Sequence, residues 1–279
     1  MNLFTTYKAL TLHIKSNSFN RIGLVPTMGS LHEGHLGLII KAIKQNDIVI
    51  VTIFINPTQF DDKLDFIKYP KNIDEDLKKI RGFNSNILVY SPNVEDLYNN
   101  KIISKKFDFN NLDKIMEGKY RKSHFNGVAT IVYKLLSVFK PTNAYFGEKD
   151  YQQLIIIKAL VLQKKIKTKI ISCKTIRNKN GLALSSRNLL LTNEETNLAP
   201  LIYKTLKKVK FFKNKMSQNE ILVYVKKIFN DQNEFKLEYF KILNEKTLTP
   251  VDNLKKEKNL RAFIAVRLGK TRLIDNIKF

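Results

Sequence analysis

The apolar run Asp47–Ile55 constrains the fold more tightly than any other segment of this 279-residue chain. Its sequence, DIVIVTIFI, is largely β-branched and lacks the polar alternation of a strand with one face in water. Strands buried on both faces are typical of parallel sheets, because crossover helices cover both sides of such sheets. The run therefore predicts a strand inside a parallel sheet.

Short apolar runs alternate with helical patterns on either side of that strand. Three further strands are predicted, and the first of them is expected to end at Pro26: Arg21–Val25, Asn86–Tyr90 and Ala144–Phe146. Apolar residues recur at helical spacing between the strands, which predicts helices within residues 36–43, 73–80, 128–139 and 152–163. This β-α-β alternation predicts an α/β fold with a doubly wound parallel sheet.

The pattern changes after about residue 172, where Asn180-Gly181 predicts a turn. Two Ser/Thr-x-x-Glu capping boxes then predict helix starts, at Thr192 and at Ser217. Three strands follow, the last two joined by a tight Gly-Lys turn: Leu237–Leu243, Arg261–Leu268 and Arg272–Ile277. We therefore expect a larger domain, residues 1–174, and a smaller C-terminal α+β domain, residues 175–279.

The chain is strongly basic, with 49 Lys and Arg against 25 Asp and Glu, a formal net charge of +24. Such a charge suits a polyanion partner such as RNA. The basic residues are spread along the chain, however, and are not gathered into one tail or helix. We favour compositional drift with a small anionic substrate, and keep RNA binding as the alternative.

Cys173 is the only cysteine, so an intrachain disulfide is excluded and a cytoplasmic location is expected. No motif surrounds this thiol, and we expect it to be structural, with a nucleophile as the alternative. The chain has no apolar run of the ~18–20 residues that a membrane span needs. Its N-terminus also lacks the pattern of a signal peptide.

The segment Val25–Leu36, VPTMGSLHEGHL, places His32 and His35 where the first strand meets its helix. Ligands of open α/β sheets bind at the carboxyl ends of strands, and helix N-termini attract phosphate. Two imidazoles there can donate to phosphate oxygens, while Gly29 and Gly34 let the backbone approach a ligand. The alternative is a pair of polar residues that begin a helix. Zinc is the weaker hypothesis, because His-Glu-Gly-His is not zinc-protease spacing.

The string His32-Glu-Gly-His35 resembles the His-x-Gly-His signature of the nucleotidyltransferase superfamily, and Pro-Thr-Met-Gly-x-Leu-His-x-Gly-His resembles the pantothenate synthetase family. Further segments resemble that family in the same order: Phe54–Phe60 (FINPTQF), Arg121–Val128 (RKSHFNGV), Phe146–Leu154 (FGEKDYQQL), Gly181–Asn188 (GLALSSRN) and the closing Leu273–Asn276. The resemblance therefore spans roughly residues 20–277 and rests on several ordered motifs.

Three departures from the family pattern affect loops. Thr58 stands where the family has Met, and Lys122 follows Arg121 where Pro is usual. Cys173-Lys174 replaces a Val-Pro pair. None of these changes removes a group that the resemblance assigns to chemistry.

The resemblance implies a Rossmann-like fold and an ATP-dependent ligase that joins pantoate to β-alanine through a pantoyl adenylate. It implies Mg²⁺ accompanying ATP, a homodimer, and a smaller domain that closes over the ATP site. No protein nucleophile is needed, because the substrate carboxylate serves. Two alternatives stay open: an adenylate-forming enzyme for another acid, and an RNA-binding protein on a similar scaffold.

The resemblance also assigns residues to roles. The expected catalytic groups are His32, His35, Lys149 and Arg187. Gln59 and Gln153 are expected to bind pantoate, since amides can both donate to and accept from its oxygens. Asp150 could hold Mg²⁺ or the ribose. The expected ATP contacts are Met28, Gly29, Ser30, Leu31, His32, Glu33, Gly34, His35, Gly147, Glu148, Lys149, Asp150, Ile176, Leu184, Ser185, Ser186 and Arg187.

Overall fold

The computed structural model describes residues 1–83, 86–99 and 101–279, and within these ranges it contains a six-stranded parallel sheet and a three-stranded antiparallel sheet. The chain forms two compact units. The N-terminal unit comprises Met1–Glu148 and Gln152–Lys174, and the C-terminal unit comprises Lys149–Tyr151 and Thr175–Phe279. The predicted fold class, a Rossmann-like parallel sheet with a smaller α+β part, is confirmed.

The N-terminal unit alternates strands with helices. Its strands are β1 Asn2–Phe4, β2 Ile22–Thr27, β3 Ile48–Ile53, β4 Ile87–Tyr90, β5 Asn143–Gly147 and β6 Lys169–Cys173. Its helices are α1 Tyr7–Ser16, α2 Glu33–Ile43, α3 Lys63–Lys68, α4 Ile73–Arg81, α5 Val94–Tyr98, α6 Glu117–Tyr120, α7 His124–Phe139 and α8 Tyr151–Gln163. Short 3₁₀ turns at Pro57–Gln59 and Glu148–Asp150 follow β3 and β5.

The strand order of the parallel sheet is β1-β4-β3-β2-β5-β6. The chain moves from β2 outward through β3 and β4, and then returns to place β5 on the other side of β2. This reversal is a topological switch point, where open α/β sheets bind their ligands beyond the carboxyl ends of the strands. The ends of β2 and β5 are therefore the expected location of the site.

Strand β3, which lies within the apolar run Asp47–Ile55, is in the interior of this sheet. All six residues of β3 are buried, which confirms the prediction of a strand covered on both faces. One side of the sheet packs on α2 and α4 through side chains such as Ile39 and Ile80. Asn72 caps helix α4, because its side chain accepts from Glu75 N, and the acidic first turn and basic last turn of α4 match the helix dipole.

Strand β2 continues through Pro26 to Thr27, so the prediction that it ends at the proline is wrong. Proline lacks an N–H, but β5 pairs with β2 only at Gly23 and Leu24. Pro26 therefore lies beyond the part of β2 whose backbone pairs with β5, and its missing N–H interrupts no hydrogen bond to that strand.

The C-terminal unit contains α9 Asn193–Leu198, α10 Leu201–Lys210, α11 Gln218–Asn230, and strands β7 Phe235–Asn244, β8 Leu260–Leu268 and β9 Thr271–Lys278. Both predicted capping boxes are confirmed, at Thr192 and at Ser217. The helices pack on the antiparallel sheet around buried residues such as Leu206 and Ile264. Among the described residues, no helix combines the length and apolar character of a bilayer crossing.

Candidate active site

The loop after β2 turns sharply before α2 begins. Gly29 has φ +82° and Ser30 has φ +51°, so two consecutive residues adopt left-handed backbone conformations. A Cβ added at Gly29 would lie 3.0 Å from Asp76 Oδ2 and 3.1 Å from Ile53 Cγ2. Both the backbone angle and the space therefore favour glycine at this position.

Asp76 of α4 holds this loop in place. Its buried carboxylate accepts from Ser30 N at 2.8 Å and from Leu31 N at 2.6 Å. Lys79 donates from Nζ to Leu31 O at 2.7 Å. Burial raises the pKa of the Asp76 carboxyl, and the two N–H donors oppose that rise. Sequence analysis did not identify Asp76, since it lies 46 and 45 residues from its two partners.

His32 and His35 form a reciprocal cap at the start of α2. His32 Nδ1 accepts from Gly34 N at 3.1 Å, and His35 Nδ1 accepts from His32 N at 3.4 Å. The two ring centroids are 4.1 Å apart. An Nδ1 atom that accepts an N–H bears no proton, so a neutral ring carries its proton on Nε2. The geometry thus assigns both imidazoles an Nε2–H donor.

Five backbone N–H groups of this loop already donate to acceptors within the protein. These groups have acceptors inside the protein, namely Thr27 Oγ1 for Gly29, the Asp76 carboxylate for Ser30 and Leu31, and the two imidazoles for His32 and Gly34. Side-chain donors are therefore better placed to bind an anion here than these main-chain N–H groups.

Gln59 lies buried in the 3₁₀ turn after β3. Its Oε1 accepts from Asn56 Nδ2 at 3.3 Å, and its Nε2 lies 2.8 Å from Met28 Sδ. Because Asn56 donates to the oxygen, the amide presents its NH₂ group toward Met28. The structure therefore brings together two of the predicted site residues, Gln59 and Met28, from the ends of neighbouring strands.

The segment Arg121–Val128 supports the Gln59 turn. His124 Nδ1 donates to Gln59 O at 2.8 Å, and Arg121 donates to the same oxygen at 3.3 Å. Arg121 also contacts His124 Nε2 at 3.2 Å, which fits a neutral ring protonated on Nδ1. A Cβ at Gly127 would lie 2.1 Å from Thr58 O, so α7 approaches this turn too closely for any other residue.

Thr58, the first departure from the family pattern, joins a hydrogen-bond network around the buried Asn56. Its Oγ1 lies 3.0 Å from Asn56 Oδ1 and 3.2 Å from Tyr98 Oη. Tyr98 Oη donates to the same Asn56 oxygen at 2.6 Å, and burial raises the Tyr98 pKa. Asn56, 1% exposed, thereby keeps its NH₂ directed at Gln59. No role was predicted for Asn56, although it lies in the recognised segment Phe54–Phe60. Tyr98 was not predicted because its hydrogen bond to Asn56 joins residues 42 apart in the chain.

The end of β5 carries Gly147 and Glu148. A Cβ added at Gly147 would meet no other atom within 4 Å, so this strand end borders open space. In the first turn of α8, Gln153 is half-buried, whereas Gln152 is buried and donates to Leu112 O and Ile115 O. Of these adjacent glutamines, Gln152 holds a neighbouring loop, and Gln153 remains the candidate for substrate.

In the C-terminal unit, Lys149 is held at its main chain. Lys149 O accepts from Asn276 Nδ2 at 2.9 Å, and Lys149 Nζ lies 3.4 Å from Asp150 Oδ1. The Lys149 side chain is 18% exposed and the Asp150 side chain 49% exposed. Asn276 lies 127 residues away, and sequence analysis recognised its segment without giving the residue a role.

The remaining predicted ATP contacts form one local structure in the same unit. Leu184 N donates to Ile176 O at 3.0 Å, and Arg177 forms a β-bridge with Ala183 across the Gly181 turn, as the Asn-Gly signal predicts. Ser185 Oγ accepts from Arg187 N at 3.3 Å and begins the 3₁₀ helix Ser186–Leu190. This local structure brings together Ile176, Leu184, Ser185, Ser186 and Arg187.

Two other expectations concern a thiol and a metal. Cys173 is buried, and burial raises the pKa of its thiol, which agrees with a structural role. Asp150 pairs with Lys149, and no cluster of three or more metal-ligating side chains occurs among residues 1–83, 86–99 and 101–279.

Residues 2–278 match the family model of pantoate–β-alanine ligase. The chain belongs to the pantoate–β-alanine ligase family. It is an enzyme, and its activity is the ATP-dependent ligation of pantoate and β-alanine.

Individual relatives agree with this assignment over nearly the whole chain. The chain is 49% identical to the pantothenate synthetase of Flavobacterium psychrophilum over 256 residues, which are 92% of this chain and 91% of that protein. It is 43% identical to that of Azobacteroides pseudotrichonymphae over 276 residues, 99% of this chain and 98% of that protein.

Solved structures match both units. The crystal structure of pantothenate synthetase from Thermus thermophilus superposes with a TM-score of 0.92 at 32% identity, covering 100% of this chain and 99% of that chain. The pantoate–β-alanine ligase from Francisella tularensis, complexed with beta-gamma ATP and β-alanine, gives 0.83 at 37% identity, covering 100% and 97%.

Proposed function

We propose that the enzyme works in two steps through a pantoyl adenylate. In the first step, a pantoate carboxylate oxygen attacks the α-phosphorus of ATP, and the bond to pyrophosphate breaks. In the second step, the β-alanine amine attacks the acyl carbon, the acyl–phosphate C–O bond breaks, and AMP leaves. The amine loses its proton as the amide forms, so no protein nucleophile is required.

The observation that carries this proposal is the pair of Nδ1-capped imidazoles at the end of β2. Fixed as Nε2–H donors, His32 and His35 stabilise the charge that develops on the phosphate oxygens. They need no reorientation during the reaction, because the helix start already sets both rings. Ser30 and Leu31, whose N–H groups donate to Asp76, keep that helix start in place.

Pantoate is assigned to the glutamines at the sheet edge. With its oxygen engaged by Asn56 and one N–H directed at Met28 Sδ, Gln59 offers its second N–H to the oxygens of pantoate. Gln153 supplies a second amide from α8. An acid that lacks a matching hydroxyl leaves one of these amides unpaired, which is how such sites reject analogues.

ATP is assigned to the loop after β2, to the turn after β5 and to the segment Ile176–Arg187. Lys149 provides a cation for the α-phosphate, and Arg187 with the Ser185 and Ser186 hydroxyls provides donors for the β- and γ-phosphates. Ile176 contacts adenine through its main chain, and the main chain of Leu184–Arg187 cradles ATP. Met28–His35, Gly147 and Glu148 line the nucleotide site. We further propose that Mg²⁺ enters as part of MgATP, where the Asp150 carboxylate would help to hold it.

The decisive experiment measures pyrophosphate release with MgATP, pantoate and β-alanine, omitting each in turn. MgATP and pantoate alone are expected to release one equivalent of pyrophosphate per active site, in a single burst. Adding β-alanine then converts the burst to steady turnover. Pyrophosphate that appears only when β-alanine is present would contradict the adenylate.

Three proposals concern the setting of the enzyme. A homodimer is proposed from the family resemblance, and light scattering on the purified protein tests it. A cytoplasmic location is proposed for a biosynthetic enzyme of this kind, and fractionation of source cells tests it. No sequence-specific nucleic-acid partner is proposed, because the basic residues are spread over the chain.

A further inference from the structure

The main chain that carries Lys149 is tied to the last strand of the protein. Asn276 of β9 is 4% exposed and donates from Nδ2 to Lys149 O at 2.9 Å. Lys149 stands in a single 3₁₀ turn rather than in a long helix or strand, so few local hydrogen bonds fix its direction. The Asn276 amide therefore supplies a long-range restraint on the residue that presents the proposed phosphate-binding ammonium.

The orientation of the Asn276 amide is set from its other side. Asn276 Oδ1 accepts from Arg261 at 2.7 Å, and an amide whose oxygen is bonded in this way must direct its NH₂ toward Lys149 O. The Arg261 guanidinium pairs with Glu245 at 3.5 Å and stacks 3.8 Å from the ring centroid of Tyr151. Arg261 thus contacts both Asn276 and the residue two places after Lys149.

The preceding residue, Asp275, restrains the second group of ATP contacts. Its carboxylate forms a bidentate pair with Arg177, at 2.5 Å and 2.8 Å. Arg177 also donates to Gly181 O at 3.2 Å, and its guanidinium lies 3.6 Å from the ring centroid of Tyr203. Arg177 follows Ile176 and lies opposite Ala183, so this pair fixes the hairpin that leads to the segment Leu184–Arg187.

The strand geometry explains how two neighbours serve two segments. Successive side chains of a strand point to opposite faces, so Asp275 and Asn276 diverge from one short stretch of β9. The two are also coupled, because Asn276 N donates to Asp275 Oδ1 at 2.7 Å. Ordinary core packing does not require a buried ion pair here, since apolar residues of similar volume serve a core equally well.

We propose that Asp275 and Asn276 are positioning residues for adenylate formation. Asn276 acts through Lys149. Asp275 acts through Arg177 on the segment that carries Arg187. The pair sets the separation between the two cationic groups that contact ATP. This inference rests on the proposed roles of Lys149 and Arg187.

The test is a double-mutant cycle in the full-length enzyme. Asn276→Asp keeps an acceptor for Arg261 but removes the donor to Lys149 O. We expect it to slow single-turnover pyrophosphate release by ~10- to 100-fold, because small misplacements of catalytic groups have effects of that size. In a Lys149→Ala background the same change should slow release by less than ~3-fold, since residues acting as one unit are non-additive.

The matched control is Glu238→Gln. It weakens another side-chain network of the same antiparallel sheet, in which Glu238 accepts from Arg267 at 2.9 Å and from Arg272 at 2.7 Å. This control should lower the melting temperature while leaving the single-turnover rate unchanged. Arg177→Lys provides an independent variant, which keeps the charge, loses the bidentate geometry, and should raise the ATP KM and slow the burst.

Three results overturn the inference. The first is a normal burst in folded Asn276→Asp and Arg177→Lys. The second is equal slowing by Asn276→Asp with and without Lys149, which indicates a merely structural role. The third is a normal rate in Lys149→Ala itself, which removes the proposed function of Lys149 and the inference with it. If Asn276→Asp does not fold, Arg177→Lys decides alone.

Discussion

The anchor formed by Asp76 makes a quantitative prediction. In Asp76→Ala, Ser30 N and Leu31 N lose their shared acceptor, and each hydrogen bond to a charged group contributes about 1.5–3 kcal/mol. Burial raises the pKa of the Asp76 carboxyl because the charged form is desolvated in the folded protein. Removing the group abolishes this desolvation cost, which offsets part of the lost free energy of unfolding. We therefore expect a net destabilisation of about 2–4 kcal/mol. At ~2–4 °C per kcal/mol, the melting temperature should fall by ~4–16 °C.

Catalysis should fall as well, because the same loop begins the helix that His32 and His35 cap. We expect single-turnover pyrophosphate release to slow by ~10- to 100-fold, the effect of a small misplacement of catalytic groups. Asp74→Ala is the matched control, since Asp74 lies exposed in the same first turn of α4. Thermal melts and rapid-quench assays on both variants measure the two effects. If Asp76→Ala melts and reacts like Asp74→Ala, the anchor has no such role.

Three further predictions concern the assigned groups. Lys149→Ala and His35→Ala should slow adenylate formation by roughly 10²–10³ while the proteins stay folded, because each removes a donor to developing phosphate charge; a near-normal single-turnover rate removes that residue from the assignment. Gln59→Ala and Gln153→Ala should raise the pantoate KM at unchanged ATP affinity, and equal loss of ATP binding in equilibrium titrations would refute this division of the site. RNA binding should be weak, salt-sensitive and without sequence preference, because diffuse charge gives counterion release without base contacts; selective binding that survives about 200 mM salt would favour the RNA alternative.

The parts of the fold that follow from local patterns were predictable. β3 lies in a nearly continuous apolar run, β8 and β9 have a turn signal between them, and the capping boxes at Thr192 and Ser217 mark helix starts. The sequence patterns did not predict β1, β6 or the helices α1, α3, α5, α6 and α10. β1 and β6 are short edge strands whose residues are largely exposed or half-buried, and they become strands only by pairing with β4 and β5.

Some residues of the candidate site were likewise predictable from local sequence, and others were not. His32, His35 and Lys149 stand in recognisable local motifs, so their residue types and spacing were sufficient to single them out. The groups that hold them, Asp76 and Asn276, were not predicted, because the residue next to which each lies is determined by the folded topology. Local sequence therefore indicates the groups proposed to contact a substrate more readily than the residues that position those groups.

The reciprocal cap at α2 has a consequence for redesign of the enzyme. Asn, Ser and Asp cap helices well, so replacements such as His32→Asn retain an acceptor for the first turn while discarding the ring. A library screened for heat resistance alone would accept such changes at this position. A screen for growth without added pantothenate would reject them. Engineering for durability should therefore hold both histidines fixed, because folding exerts little pressure to keep them as histidine.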